Sequence, residues 1–171
     1  MRIGDFNALD EGAARDLVSL WAAIPRWVSA VVAGRPYPSR DELEATAATE
    51  AASWDADDLD QALAQHPRIG ERPVGDDASA TASRREQAAM TAAAPGVAQR
   101  IAAGNTRYEA RFGRVFLIRA RGRSAEEMLA ELERRLSNTP ESEVVEAAGQ
   151  LCEIALGRLR ETVSADRVRT G

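Results

Sequence analysis

Apolar residues in this 171-residue chain recur at intervals of three and four. Most of the runs that carry them open at a capping residue or a proline and close at a glycine or before a proline. That punctuation commits the chain to helices. Asp10 caps a first run over 11–24, with Leu17, Leu20, Trp21 and Ile24 on one stripe. Pro25 interrupts it, and Trp27, Val28, Val31 and Val32 continue an apolar face to Gly34. Arg35-Pro36-Tyr37-Pro38 is a rigid extended connection. Ser39-Arg40-Asp41-Glu42 has capping-box spacing ahead of an alanine-rich helix to about Ala52. A helix over 56–65 stops at His66, because the residue before a proline is pushed out of the α region.

Residues 71–82 are rich in Gly, Asp, Ser and Thr and read as a surface loop; Ser83 opens the next helix, to about Ala93. Another helix covers 97–112 and ends at Gly113 as a C-terminal cap. Ser124-Ala125-Glu126-Glu127 starts a helix ending near Asn138, and Pro140 takes the first position of the last long helix. There Val144, Ala148, Leu151, Ala155 and Leu159 share a stripe. Val115-Phe116-Leu117-Ile118 alone has β character. With 5% aromatic residues and abundant alanine, close helix–helix packing is favoured over sheet. The expected fold is all-α, a single-domain helical bundle over residues 1–171, without repeats or low-complexity tails.

The formal charge of −5 and the lack of a basic stripe argue against a nucleic-acid partner. No apolar stretch reaches membrane-spanning length, and the first residues do not form a secretory signal, so a cytoplasmic protein with no membrane partner is expected. Cys152 has no second cysteine to pair with, and no Cys/His cluster suggests zinc; the choice is between a small core residue and a reactive thiol.

All 22 basic residues are arginine. Schiff-base chemistry, pyridoxal attachment and a P-loop lysine are thereby excluded. His66, the single histidine, is the side chain whose ordinary pKa suits acid–base work near neutrality. In His66-Pro67-Arg68-Ile69-Gly70 it either satisfies a carbonyl at a helix stop or stands, held by Pro67, at a cleft wall. Ser83-Arg84-Arg85-Glu86-Gln87 is either a capping box or a first helical turn whose carboxylate and amide address a polar ligand. Asn105, Tyr108 and Phe112 share a helix face, with core packing as their simplest role. Arg158 lies beside an apolar stripe, either solvated or clamping a carboxylate.

In order, His-Pro-x-Ile-Gly, Ser-x-x-Glu-Gln, Asn-x-x-Tyr-x-x-x-Phe-Gly-x-x-Phe and Arg-Leu resemble the 2-oxo-4-hydroxy-4-carboxy-5-ureidoimidazoline (OHCU) decarboxylase family. Phe6-Asn7, Trp27-Val28, Arg35-Pro36-Tyr37 and Glu153-Ile154-Ala155 extend the likeness over most of the chain. The resemblance implies an all-helical carboxy-lyase that needs no metal or organic cofactor and yields (S)-allantoin in the third step of urate degradation. It implies His66 as catalytic acid/base and Glu86 as its carboxylate partner. Ser83, Gln87 and Arg158 would bind the small-molecule substrate, a ureidoimidazoline carboxylate. Pro67 would shape the pocket floor, and backbone groups from Ile118 to Gly122 would help hold the ring or ureido group. By analogy with relatives it allows a homodimer. Set against it are a non-catalytic helical domain binding a purine-derived ligand or a partner protein, and a decarboxylase of a related ureido acid.

Overall fold

The computed structural model describes residues 1–63, 69 and 94–164. Among these, every regular element is a helix and there is no strand: α1 (Ile3–Asn7), α2 (Glu11–Trp21), α3 (Pro25–Ala33), α4 (Arg40–Ala51), α5 (Ala56–Leu63), α6 (Pro95–Phe112), α7 (Ala125–Arg135) and α8 (Pro140–Thr162). The all-α expectation holds, and α1 is additional to the helices expected. None of the described helices is long and apolar enough to cross a membrane. The chain divides into two compact units, one of residues 1–54 and 152–171, the other of residues 55–151. α8 contributes to both, its residues through Leu151 to the second and those from Cys152 to the first.

Helix boundaries follow the capping chemistry. Asp10 accepts the Ala13 N–H at 2.9 Å and Ser39 accepts the Glu42 N–H at 3.2 Å. At Ser124 the box is complete, because Glu127 N–H donates to Ser124 Oγ (3.2 Å) and Ser124 N–H to Glu127 Oε2 (2.7 Å). Pro95 starts α6, two residues before the expected 97, and Gly113 closes it in the left-handed region at φ 72°.

In the first unit, the Phe6-Asn7 and Arg35-Pro36-Tyr37 segments bind each other. The Asn7 amide donates to the Tyr37 carbonyl (2.8 Å) and accepts the Tyr37 N–H (2.9 Å), closing a two-bond ring. Arg35 Nη1 donates to the carbonyls of Leu9 (2.7 Å) and Phe6 (3.2 Å), completing the C-terminal end of α1. Trp27, from α3, donates its indole N–H to the Ala47 carbonyl of α4 at 2.9 Å and meets Trp54 edge-on at 5.6 Å.

Two stripes differ from expectation. In α2 the buried residues are Ala14, Val18 and Trp21, whereas Leu20 is exposed and Leu17 only partly covered. The helix ends at Trp21 and Ala22 is extended, so Ile24 reaches the core from outside the helical phase that was to carry it. In the first half of α8, Glu143 and Ala147 are buried in place of Val144 and Ala148, which are half-covered.

The second unit is built around a charge. Arg135 at the end of α7 and Glu143 in the first turn of α8 are both 1% exposed and form an ion pair. Arg135 Nε lies 3.0 and 3.3 Å from the two carboxylate oxygens, and Asn138 Nδ2 donates to Oε2 at 2.8 Å. The Tyr108 hydroxyl, from α6, donates to Glu143 Oε1. Arg135 Nη1 donates to the Leu117 carbonyl (2.8 Å), and its guanidinium lies 4.7 Å from the Phe116 ring centroid. Around this polar centre pack Ile101, Phe116, Ile118, Met128, Leu129 and Leu132. Gly104 admits Leu132 so closely that a Cβ there would fall 2.6 Å from Leu132 Cδ2. Among the described residues Val115–Ile118, the run with β character, has no strand to join; its residues 116–118 are buried instead, and the Arg135 side chain donates to the Leu117 carbonyl.

Removing one partner of such a pair leaves an uncompensated buried charge. Glu143→Leu and Arg135→Met should each lower unfolding free energy in urea by about 3–5 kcal/mol. The double variant should lose clearly less than their sum; strict additivity would contradict the coupling. Burial pushes the Tyr108 phenol well above its ordinary value, and the Glu143 hydrogen bond adds to this. The unfolded chain ionises near pH 10 while the folded one keeps its proton. Stability is therefore intact below about pH 10 and falls as pH rises beyond it. Tyr108→Phe should flatten that alkaline decline, with Tyr37, raised chiefly by burial, supplying the remainder.

Candidate functional site

Of the residues that the sequence singles out, His66, Pro67, Ser83, Glu86 and Gln87 lie outside the described residues. Ile118, Gly122 and Arg158 lie within them, the first two in the second unit and Arg158 in the first.

Ile69 belongs to the His66–Gly70 motif and is described: it is buried, and its carbonyl accepts a hydrogen bond from Asn105 Nδ2 at 3.0 Å. Asn105 is itself 4% exposed. The face shared by Asn105, Tyr108 and Phe112 is thus a packing face, as expected, but with a polar end that grips the motif. Tyr108 packs against Phe112 with the rings tilted by 54° at 4.8 Å and meets Phe116 edge-on at 5.2 Å.

The segment from Ile118 to Gly122 joins the buried core to the N-cap of α7. Ile118 is 5% exposed and Ala120 3%, whereas Arg121 and Gly122 are exposed. Two side chains bind its entry: Arg135 through the Leu117 carbonyl, and Gln150 of α8, whose Oε1 accepts the Arg119 N–H at 2.9 Å. Its exit turns sharply, with Arg123 N–H donating to the Ala120 carbonyl at 3.1 Å and Gly122 at φ 81°. Sequence reasoning missed Arg135, Glu143 and Gln150; each reads as an ordinary surface residue of an acidic or basic helix.

Arg158 departs from the solvated reading. It is 8% exposed, and Nη1 donates at 3.0 Å to the carbonyl of Leu20, in the last turn of α2 where carbonyls lack helical partners. Two residues on, Arg160 points elsewhere and pairs with Glu44, its Nε lying 3.0 Å from Oε2. Cys152 is half-buried, less than its expected place on a buried face; burial, with Glu153 nearby, raises its thiol pKa and disfavours the reactive thiolate. Among the described residues, no three His, Cys, Asp or Glu side chains converge as metal ligands would. A cleft of the second unit is lined, among the described residues, by Asp60, Leu63, Glu109, Gly113, Arg114 and Val115, and Arg114 pairs with Asp60 there at 2.9 Å.

The left-handed Gly122 has open space where a Cβ would go, so substitution there meets a conformational penalty and no clash. Gly122→Ala should cost about 1–2 kcal/mol. Gly149, inside α8 and equally open, should behave in the opposite sense, Gly149→Ala gaining roughly 0.5–1 kcal/mol. Denaturant midpoints of the two variants shifting in the same direction would contradict this assignment of backbone roles.

Comparison with known proteins converges on one family. The OHCU decarboxylase family model matches residues 7–160. The 2-oxo-4-hydroxy-4-carboxy-5-ureidoimidazoline decarboxylase of Amia calva is 32% identical in an alignment of 137 positions that covers 77% of this chain and 78% of that protein. A crystal structure of OHCU decarboxylase in the presence of (S)-allantoin matches with a TM-score of 0.71 at 25% identity, covering 84% of this chain and 94% of that one. A crystal structure of (S)-allantoin synthase also gives 0.71, at 17% identity, covering 95% of this chain and 54% of that one; this is a likeness of fold alone.

Proposed function

The chain belongs to the OHCU decarboxylase family, and we propose that it is the carboxy-lyase that converts 2-oxo-4-hydroxy-4-carboxy-5-ureidoimidazoline to (S)-allantoin. The observation that carries this reading is the extent of the family match, residues 7–160, which takes in every motif from Asn7 to Arg158.

Loss of carbon dioxide breaks the bond between the carboxylate and the hydroxyl-bearing carbon. The electron pair left behind delocalises into the adjoining imine or carbonyl system, and one face of that carbon then takes a proton. Hydrogen-bond donors must meet the charge as it develops. In this reading His66 handles the hydroxyl proton or the final protonation, and Glu86 orients the imidazole or the ureido group. Ser83, Gln87 and Arg158 bind substrate, Pro67 shapes the floor of the pocket, and backbone groups of residues 118–122 hold the ring or ureido group. Arg158 fits the role of an anchor already held in place, since its bond to the Leu20 carbonyl limits the rotamer freedom that substrate binding would otherwise remove. The reading includes one functional domain over residues 1–171, a cytoplasmic location, no nucleic-acid or membrane partner and a homodimer, whose mass light scattering would report.

The test is circular dichroism during turnover of substrate freshly generated from urate by the two upstream activities. The (S)-allantoin signal should rise faster than spontaneous racemic decay. His66→Ala and Glu86→Ala should each slow it by about 10²–10⁴-fold while the far-ultraviolet spectrum stays helical. A flat trace from folded wild-type protein would refute the activity, and a variant with undiminished rate would refute that residue's role.

A further inference from the structure

We propose that Gln150 and Arg135 are positioning residues for substrate: together they take the place of a neighbouring strand along one edge of the 117–119 backbone and so present the opposite edge, the N–H and C=O of Ile118, to the ligand. The inference rests on the decarboxylase reading, in which backbone groups from Ile118 onward hold the ring or ureido group.

The geometry is specific. Arg135 Nη1 binds the carbonyl of Leu117 at 2.8 Å, and Gln150 Oε1 binds the N–H of Arg119 at 2.9 Å. In an extended chain the N–H and C=O of one residue point to the same edge, and those of the next residue to the other. A carbonyl at 117 and an N–H at 119 are the pair that one edge offers to a partner strand. Among the described residues no strand stands there; a guanidinium and an amide do its work. Neither bond involves the Ile118 peptide groups. A donor and an acceptor side by side on one residue match the N–H and C=O of a lactam ring or ureido group.

The two supports share a foundation. Glu143, which holds Arg135, and Gln150 lie seven residues apart on α8, two helical turns, and therefore on one face about 10.5 Å apart along the axis. One rigid helix thus fixes both ends of the segment, Gln150 directly and Glu143 through Arg135. Arg135 is locked further by Tyr108 and by its place over Phe116. Preorganising a backbone edge in this way lowers the ordering cost of binding and should appear mainly in affinity for the bound ligand.

Arg135→Met strands Glu143 in the core and compromises folding, so the Gln150 series carries the test. Gln150 is half-buried, and Gln150→Met removes the acceptor at nearly constant volume, whereas Gln150→Glu keeps an acceptor of the same reach. We expect Gln150→Met to raise KM about five- to tenfold, the worth of one hydrogen bond, with kcat within about twofold. Amide exchange at Arg119, read by NMR, should quicken in the same variant. Gln150→Glu should restore both to near the wild-type values. An unchanged KM in Gln150→Met would overturn the inference, as would equal impairment by Met and Glu, which would mark a packing role. Absence of turnover by the wild-type protein would instead overturn the decarboxylase reading, and Arg119 exchange would still decide whether Gln150 holds the segment.

Discussion

The ion pair between Arg135 and Glu143 is the constraint on which the second unit depends. Both side chains are withdrawn from water, and that costs more than their mutual attraction returns unless every remaining donor and acceptor is met. Here they are met from four directions. Tyr108 and Asn138 serve the carboxylate, the Leu117 carbonyl takes a guanidinium N–H, and the Phe116 ring covers the cation's face. A planar fork of five donors can reach the carboxylate, a tyrosine and a backbone carbonyl at once; three ammonium protons on a flexible stem could not do so with the same geometry. In a chain whose basic residues are all arginine, this is the place where the choice has the clearest structural consequence.

What the centre organises is a length of backbone that is neither helix nor sheet. Buried peptide groups need partners, and among the described residues no strand lies beside this segment to supply them. Side chains from α7 and α8 do so instead. The β character of Val115–Ile118 therefore survives as burial without a sheet, and the all-α description and the apolar run are compatible.

Much of the helical frame was legible because its signals are local. Asp10, Ser39, Ser124, Pro95, Pro140 and Gly113 act through their own neighbouring backbone and need no knowledge of the rest of the chain. Stripes were less legible, because a shift of one residue rotates a helix face by about 100°, and neighbouring apolar positions compete for the core. Leu20 lost its place to Val18, and Val144 to a glutamate. The polar centre was hidden for the same reason. Arg134 and Arg135 are indistinguishable in sequence, yet the first has a side chain 47% exposed and the second 1%. Glu143 sits where a helix N-terminus favours any carboxylate, so nothing local marks it as buried. Among the candidate site residues, Arg158 is buried where an arginine is ordinarily solvated, and its bond to the Leu20 carbonyl joins residues far apart in sequence, which no local pattern encodes.

The seven-residue interval between Glu143 and Gln150 also limits how the chain can vary in length. Inserting or deleting one residue between them would turn Gln150 through about 100° relative to Glu143 and carry its amide away from Arg119, even if α8 remained unbroken. A full turn added or removed nearly preserves the direction but shifts the amide by about 5.4 Å along the axis, beyond reach of the same N–H. Substitution inside this stretch of α8 is thus far easier to accommodate than any change in its length, and the spacing acts as a ruler for the segment it holds.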